Sequence, residues 1–159
     1  MTVVRIEGDA TWSDFVRQHL TLSPSNEQAK SEFHLQWTVS GHRMREQLND
    51  DEALLNMLRC WLPTYVGPNL TLFRGENVDR WRCNKVGMCW TTDSGTAKMF
   101  ARGLNAVHSG GVLLQCDVPL AAIIAGPSSH SLYLDEAEFT VDPRLLTDVK
   151  IVEEYPAVA

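Results

Sequence analysis

The spacing of apolar residues changes near position 70. Before that point they recur at helical intervals. Trp12, Phe15, Val16 and Leu20 fall on one face of a short helix that Thr11 or Ser13 can cap, and Ser23-Pro24-Ser25-Asn26 interrupts the pattern. A second helix is predicted over Glu27 to Trp37, where Phe33 and Trp37 stand four apart, with a break at Ser40-Gly41. A third begins at Asp50 or Asp51 and carries Leu54, Leu55, Leu58 and Trp61 on one face. Pro63 and Gly67-Pro68 close this region. Beyond it, short runs rich in β-branched and aromatic residues predict strands at Leu70 to Arg74, Gly87 to Thr91, Gly111 to Val118, Glu138 to Val141 and Val149 to Val152. One helix interrupts them, capped by Asp93 or Ser94 and running through Ala97, Met99, Phe100 and Ala101. Gly126 to Asp135 is rich in turn residues and reads as an exposed loop.

Strands with a single inserted helix, behind a helical leader, imply an α+β fold. The 159 residues fit one domain, with residues 1–68 as a mostly helical N-terminal part and 69–159 as the core. A net charge of -6 makes nucleic acid an unlikely partner, because phosphate-backbone binding draws on Lys and Arg. No long apolar run suggests a membrane span, and the N-terminus lacks the apolar stretch of a secretory signal. Cys60, Cys83, Cys89 and Cys116 show neither CxxC pairing nor zinc-ligand spacing, so reduced thiols, a cytoplasmic location and no metal are expected. Cys60 and Cys116 are expected in the core.

Three separated pieces carry candidate chemistry. Phe73-Arg74-Gly75 places an Arg at a strand end beside a Gly that lets a ligand near the backbone. Cys89-Trp90-Thr91 precedes a helix containing Ala97 and Phe100. Glu136-Ala137-Glu138 puts two carboxylates two residues apart, which on a strand face the same way and lie about 7 Å apart. Each has an ordinary explanation when taken alone: a surface ion pair, a buried strand, a solvated strand face.

Together and in this order, the three resemble the Arg–Ser–Glu group of mono-ADP-ribosyltransferases over roughly Leu70 to Val152. That family has an Arg on its first core strand and a Ser-Thr-Ser triplet on the next. An Ala follows six residues after the triplet and a Phe three later, as Thr91, Ala97 and Phe100 do here. A Glu-x-Glu opens a later strand after a recognition loop, as Glu136 and Glu138 do after Pro127 to Asp135. Cys116-Asp117-Val118-Pro119 is similar to the strand between triplet and glutamates. Cys89 and Trp90 depart from the triplet, and Thr91 keeps its last hydroxyl.

The resemblance implies an ADP-ribosyltransferase-like split β-sandwich with an N-terminal helical region. It implies NAD as substrate and transfer of ADP-ribose to a protein, with an arginine side chain as acceptor. Arg74 would hold the NAD phosphates or ribose, and the Gly75 backbone the nicotinamide amide. Cys89, Trp90, Thr91 and Phe100 would complete the NAD site. Glu138 would bond the nicotinamide ribose and offset its developing positive charge, and Glu136 would orient or deprotonate the acceptor. Tyr133 would contact the acceptor. Arg102 to Gly110 resembles the family's loop closing over NAD, with Arg102 and His108 as candidates. By the same resemblance the chain fits a bacterial toxin, an injected effector or a phage protein, acting in the cytoplasm of producer or target cell. Its partners would be a target protein and an immunity or regulatory protein. An NAD glycohydrolase, a catalytically silent binding module of this fold and an unrelated α+β interaction domain remain the alternatives.

Overall fold

The computed structural model describes residues 27–134 and 136–158. The helix expected around Trp12 and Phe15 lies outside the described residues, as does Asp135 at the end of the expected loop.

The first described helix, α1, is Glu27–Leu48. It does not stop at Ser40-Gly41. Gly in a helix interior costs about 1 kcal/mol, but Gly41 is buried and a Cβ there would lie 3.0 Å from the Trp37 ring. The glycine gives that ring its place, and packing outweighs propensity. Phe33, His34, Trp37, Gly41 and Met44 form the buried stripe. Asn49, at φ 48°, ends the helix in the left-handed region. The next helix, α2, is Asp51–Trp61, and the Asp50 carboxylate caps it by accepting the Ala53 N–H at 3.1 Å. It buries Leu54, Leu55, Met57, Leu58 and Trp61, whereas Cys60 is exposed on its outer side and is not a core residue. Cys116 is buried as expected, and no disulfide joins the described cysteines.

Among the described residues six strands form one antiparallel sheet: β1 Leu70–Asn77, β2 Cys89–Thr91, β3 Gly111–Val118, β4 Ile123–Ala125, β5 Glu138–Val141 and β6 Lys150–Tyr155, in the order β4-β5-β2-β1-β3-β6. The fold is α+β. Strands β1 and β6 run further than the sequence pattern predicts, and β4 was not anticipated at all. Among the described residues there are three further α-helices: α3 Val78–Arg82, α4 Ser94–Arg102 and α5 Ser129–Tyr133. Helix α5 lies within the expected loop. Helix α4 starts at Asp93, whose carboxylate accepts from the Gly95 and Thr96 amides.

Two features of the sheet shape the site. First, β1 and β3 pair along their whole length, from Leu70 opposite Val118 to Asn77 opposite Gly111, but β1 and β2 pair only at Phe73 and Thr91. The sheet opens beyond that point. Second, α4 lies directly on β1 and β3. A Cβ on Gly75 would sit 2.2 Å from the Ala97 carbonyl oxygen, and one on Gly111 1.7 Å from that of Ala101. The bare backbone of Gly75 therefore admits the helix, where the sequence suggested it admits a ligand. Gly75→Ala should push α4 off the sheet and cost on the order of 3 kcal/mol of stability, measurable by urea unfolding. A loss below roughly 1 kcal/mol would show that α4 shifts freely, contrary to this packing.

Helices α1 and α2 share a core with Met88, Ile124 and Ala125. A second core gathers Leu72, Trp90, Leu114, Cys116, Ile123 and Val141. The Trp37 indole N–H reaches across to the Thr140 hydroxyl at 2.9 Å, tying α1 to β5. This contact brings one face of α1 over the opening in the sheet. Among the described residues no helix is long and apolar enough to cross a membrane.

Candidate active site

The opening between β1 and β2 is a cavity of about 540 Å³, a size usual for small-molecule sites. Its wall includes Arg74 and Gly75 from β1, Cys89 and Thr91 from β2, Phe100 from α4, and Glu136 and Glu138. The structure thus brings together residues spread over more than sixty positions of the chain. Trp90 also borders the cavity, but its side chain is 1% exposed within the second core and donates its indole N–H to Gly87 at 3.0 Å. Alternation along β2 turns it away from Cys89 and Thr91. Its ring therefore belongs to the core, although the residue borders the cavity. Tyr133, at the end of α5, is 85% exposed and does not line the cavity. Neither do Arg102 and His108. From their loop it is Leu104 and Asn105 that reach the wall, and the Asn77 amide pins the loop by donating to the carbonyls of Asn105 and Val107.

Arg74 spans the gap that the parting strands leave. Its Nη1 donates to the Cys89 carbonyl at 2.8 Å, in place of a ladder bond, and its Nε to Glu76 Oε2 at 2.7 Å. Gly87 makes room for it: a Cβ there would lie 2.1 Å from Arg74 Nη2. Burial disfavours the Arg74 charge, but the charge and hydrogen bond of Glu76 outweigh it and hold the guanidinium above its ordinary pKa. Glu76 is fully buried and fully partnered. It accepts from Arg74, from the Gly87 N–H at 2.8 Å and from the Asn77 N–H at 2.9 Å, with Arg80 at 3.4 Å. Burial pushes its carboxyl up, and these partners more than reverse that.

The two glutamates do not sit as neighbours on a strand. β5 begins at Glu138, and Ala137 between them lies in the left-handed region at φ 45°. A non-glycine residue there stores on the order of 1 kcal/mol or more. Both glutamates line the cavity nonetheless, each partly buried. Burial, then the neighbouring Glu136, push the Glu138 carboxyl up to about 7, against the pull of Arg74. Cys89 is raised to about 12, first by burial and then by Glu138, so its thiol is not a nucleophile at neutral pH. Thr91 is buried, and its hydroxyl accepts the Asp93 N–H at 3.0 Å. The Gly75 carbonyl accepts from the Asn105 amide at 2.7 Å.

Compared with protein-family models, curated proteins and solved structures, the chain finds no match in any of the three.

A second cavity, of about 350 Å³, adjoins the first. The two share His42, Arg74, Cys89, Asn105 and Glu138, and the second adds Arg45 and Arg80. Arg45 is bonded to Asp51 through two nitrogens and to the Val86 carbonyl. None of His42, Arg45, Glu76, Arg80 and Asn105 was singled out from sequence. Arg45 and His42 lie on a helix remote in sequence from the strands, and only the fold shows that they meet the site. Glu76 was the legible omission, since it stands two residues after Arg74 on one strand. Among the described residues no group of three or more His, Cys, Asp or Glu side chains could hold a metal ion.

Proposed function

We propose that this chain is a mono-ADP-ribosyltransferase of split β-sandwich architecture, which cleaves NAD and transfers ADP-ribose to a protein acceptor, an arginine side chain. One observation carries the reading: Arg74, Thr91, Phe100, Glu136 and Glu138, selected by motif order alone, line a single cavity of about 540 Å³.

The chemistry suits the groups present. The bond to break joins the nicotinamide nitrogen to ribose C1′, and positive charge grows on the ribose as it lengthens. A fixed carboxylate at that position is worth most in the transition state. Glu138 is the better placed for this, being the more restrained of the two on β5 with Arg74 nearby. The cationic nicotinamide ring favours the ionised form of Glu138, so donor binding draws out the charge that catalysis needs. Glu136, off the strand, is left to receive a proton from the entering guanidinium. Phe100 offers a flat apolar wall for the ring, and the guanidinium of Arg74, with Arg45 and Arg80 beside it, supplies positive charge for the diphosphate.

The test uses NAD labelled in its adenylate half, incubated with the protein and a cell lysate. Label on a protein, located on an arginine by mass spectrometry, is the expected result. Free labelled ADP-ribose alone would favour an NAD glycohydrolase, and neither product would leave a binding module or interaction domain. The reaction should also turn on with pH. Glu138 must be ionised, so kcat/KM should rise with an apparent pKa near 7 rather than at the ordinary 4.5. A profile flat from pH 5 to 8 would remove Glu138 from the catalytic role.

A further inference from the structure

Both glutamate amides are bound by one residue, Ser131 of α5. The Glu136 N–H donates to the Ser131 carbonyl at 3.0 Å, and the Glu138 N–H donates to the Ser131 hydroxyl at 2.8 Å. Ser131 is itself completely buried. Its own N–H donates to the Ser128 hydroxyl at 3.1 Å, and that hydroxyl pairs with Thr38 of α1 at 2.9 Å. A run of polar contacts therefore leads from the helix that roofs the cavity to the segment that bears the glutamates.

The position of Ser131 answers a gap in the sheet. β4 pairs with β5 only at Thr140 and Val141, so Glu138, the first residue of β5, has no ladder neighbour on that side. The Ser131 hydroxyl takes the place of the missing carbonyl. The apolar residues that follow in and after α5 do not perform this anchoring, because Leu132, Tyr133 and Leu134 are all exposed. The two bonds from Ser131, one to each glutamate, straddle the left-handed Ala137. A left-handed alanine persists only where its surroundings over-determine it, and these two bonds are what bracket it.

We propose that Ser131 is a positioning residue that fixes the offset between Glu136 and Glu138 and so sets how cleaved NAD is divided between acceptor transfer and hydrolysis. The proposal rests on the enzymatic reading given above. Transfer needs both carboxylates in register with an incoming side chain, whereas water can enter from many directions. The side-chain bond is the one to Glu138 and the backbone bond to Glu136 survives its loss, so removing the hydroxyl should slow cleavage somewhat and, by breaking the register between the two carboxylates, slow transfer more.

The experiment compares wild type, Ser131→Ala and Ser131→Cys, the last keeping a weaker hydrogen-bonding group. Transfer to protein and release of free ADP-ribose are measured side by side, with folded fraction monitored by circular dichroism. Ser131→Ala should raise the ratio of hydrolysis to transfer by about tenfold with little change in KM for NAD, and Ser131→Cys should fall between. A merely structural role would lower both rates together, in step with the folded fraction and with the ratio unchanged. That result overturns the proposal.

A second readout works without turnover. The Glu138 carboxyl can be titrated by NMR on protein labelled with carbon-13 in its glutamates. It is faced by Glu136, by Arg74 of β1 and Cys89 of β2, with His42 and Arg45 of α1 and Glu76 and Arg80 lining the shared cavities. Freed from Ser131, it should swing toward solvent and away from Glu136, and its midpoint should fall. An unchanged midpoint refutes the positioning role whether or not the wild type turns over. A wild-type chain that leaves NAD intact sinks the enzymatic reading by itself, and the titration then judges the structural claim about Ser131.

Discussion

Glu138→Gln is expected to abolish both protein modification and NAD hydrolysis while making the protein more stable above pH 7. The loss of activity should be on the order of 10³-fold or more, because the amide keeps the shape of the side chain but removes the charge that opposes the developing cation. The gain in stability follows from the raised carboxyl. In the folded protein Glu138 titrates near 7, against 4.5 ordinarily. Between those values the folded state holds a proton that the unfolded chain has released. Stability therefore falls as pH rises through this window, and the penalty is complete above it. It amounts to roughly 2–3 kcal/mol at most. Glutamine has nothing to ionise and escapes it. Urea unfolding of both proteins at pH 5 and pH 8 should give similar stability at the lower pH and a more stable variant at the higher. Glu136→Gln supplies the contrast: transfer should be lost while part of the hydrolysis persists. Should the two variants lose both activities equally, the glutamates do not divide the work. A Glu138→Gln variant that stays active with NAD would remove the carboxylate from the mechanism altogether.

A carboxylate whose charge burial disfavours, placed beside a left-handed alanine, suits the role proposed for this cavity. It is also why the sequence could be read only in part. The three motif pieces were legible because each depends on local order: Arg74 at a strand, Thr91 six before Ala97, Glu136 two before Glu138. Helix α2 was legible for the same reason, since a capping Asp50 and an apolar stripe are both local signals. Gly41 misled, because a helical glycine and a helix-ending glycine look alike until Trp37 is seen lying against it. The alternation rule placed both glutamates on a strand face, and the positive φ of Ala137 overturned that, because Ser131 bonds both flanking amides. The place of Trp90 in the triplet points to the site, but alternation and burial assign its ring to the core. His42, Arg45 and Arg80 reach the cavities from helices whose docking depends on the whole fold, and no local pattern announces them.

Arg74→Ala should fail in two ways at once, and pH separates them. As a ligand contact, loss of a charge-assisted bond to phosphate should weaken NAD binding by about 1.5–3 kcal/mol. As a structural group, Arg74 is the nearest partner of the fully buried Glu76, at 2.7 Å. Removing one member of a buried ion pair costs about 3–5 kcal/mol, because the other charge is left inside. In the wild type Glu76 is held below its ordinary pKa. Its contribution to stability is therefore present above the unfolded value and lost as pH falls through the depressed folded one. Without Arg74 the burial penalty gains on the remaining partners, namely the Gly87 and Asn77 amides and the more distant Arg80. The Glu76 carboxyl should then rise and its own contribution should change sign, so that Arg74→Ala loses stability more steeply than the wild type, which already carries the Glu138 penalty, as pH increases from 5 to 8. Adding Glu76→Gln to Arg74→Ala should recover much of that stability, since the neutral amide has no charge to strand, yet it should not restore NAD affinity. Chemical unfolding and calorimetric NAD titration of the two variants at both pH values make the comparison. Affinity regained together with stability would mean that Arg74 only props the strands apart; stability regained with affinity still missing would place its guanidinium on the dinucleotide.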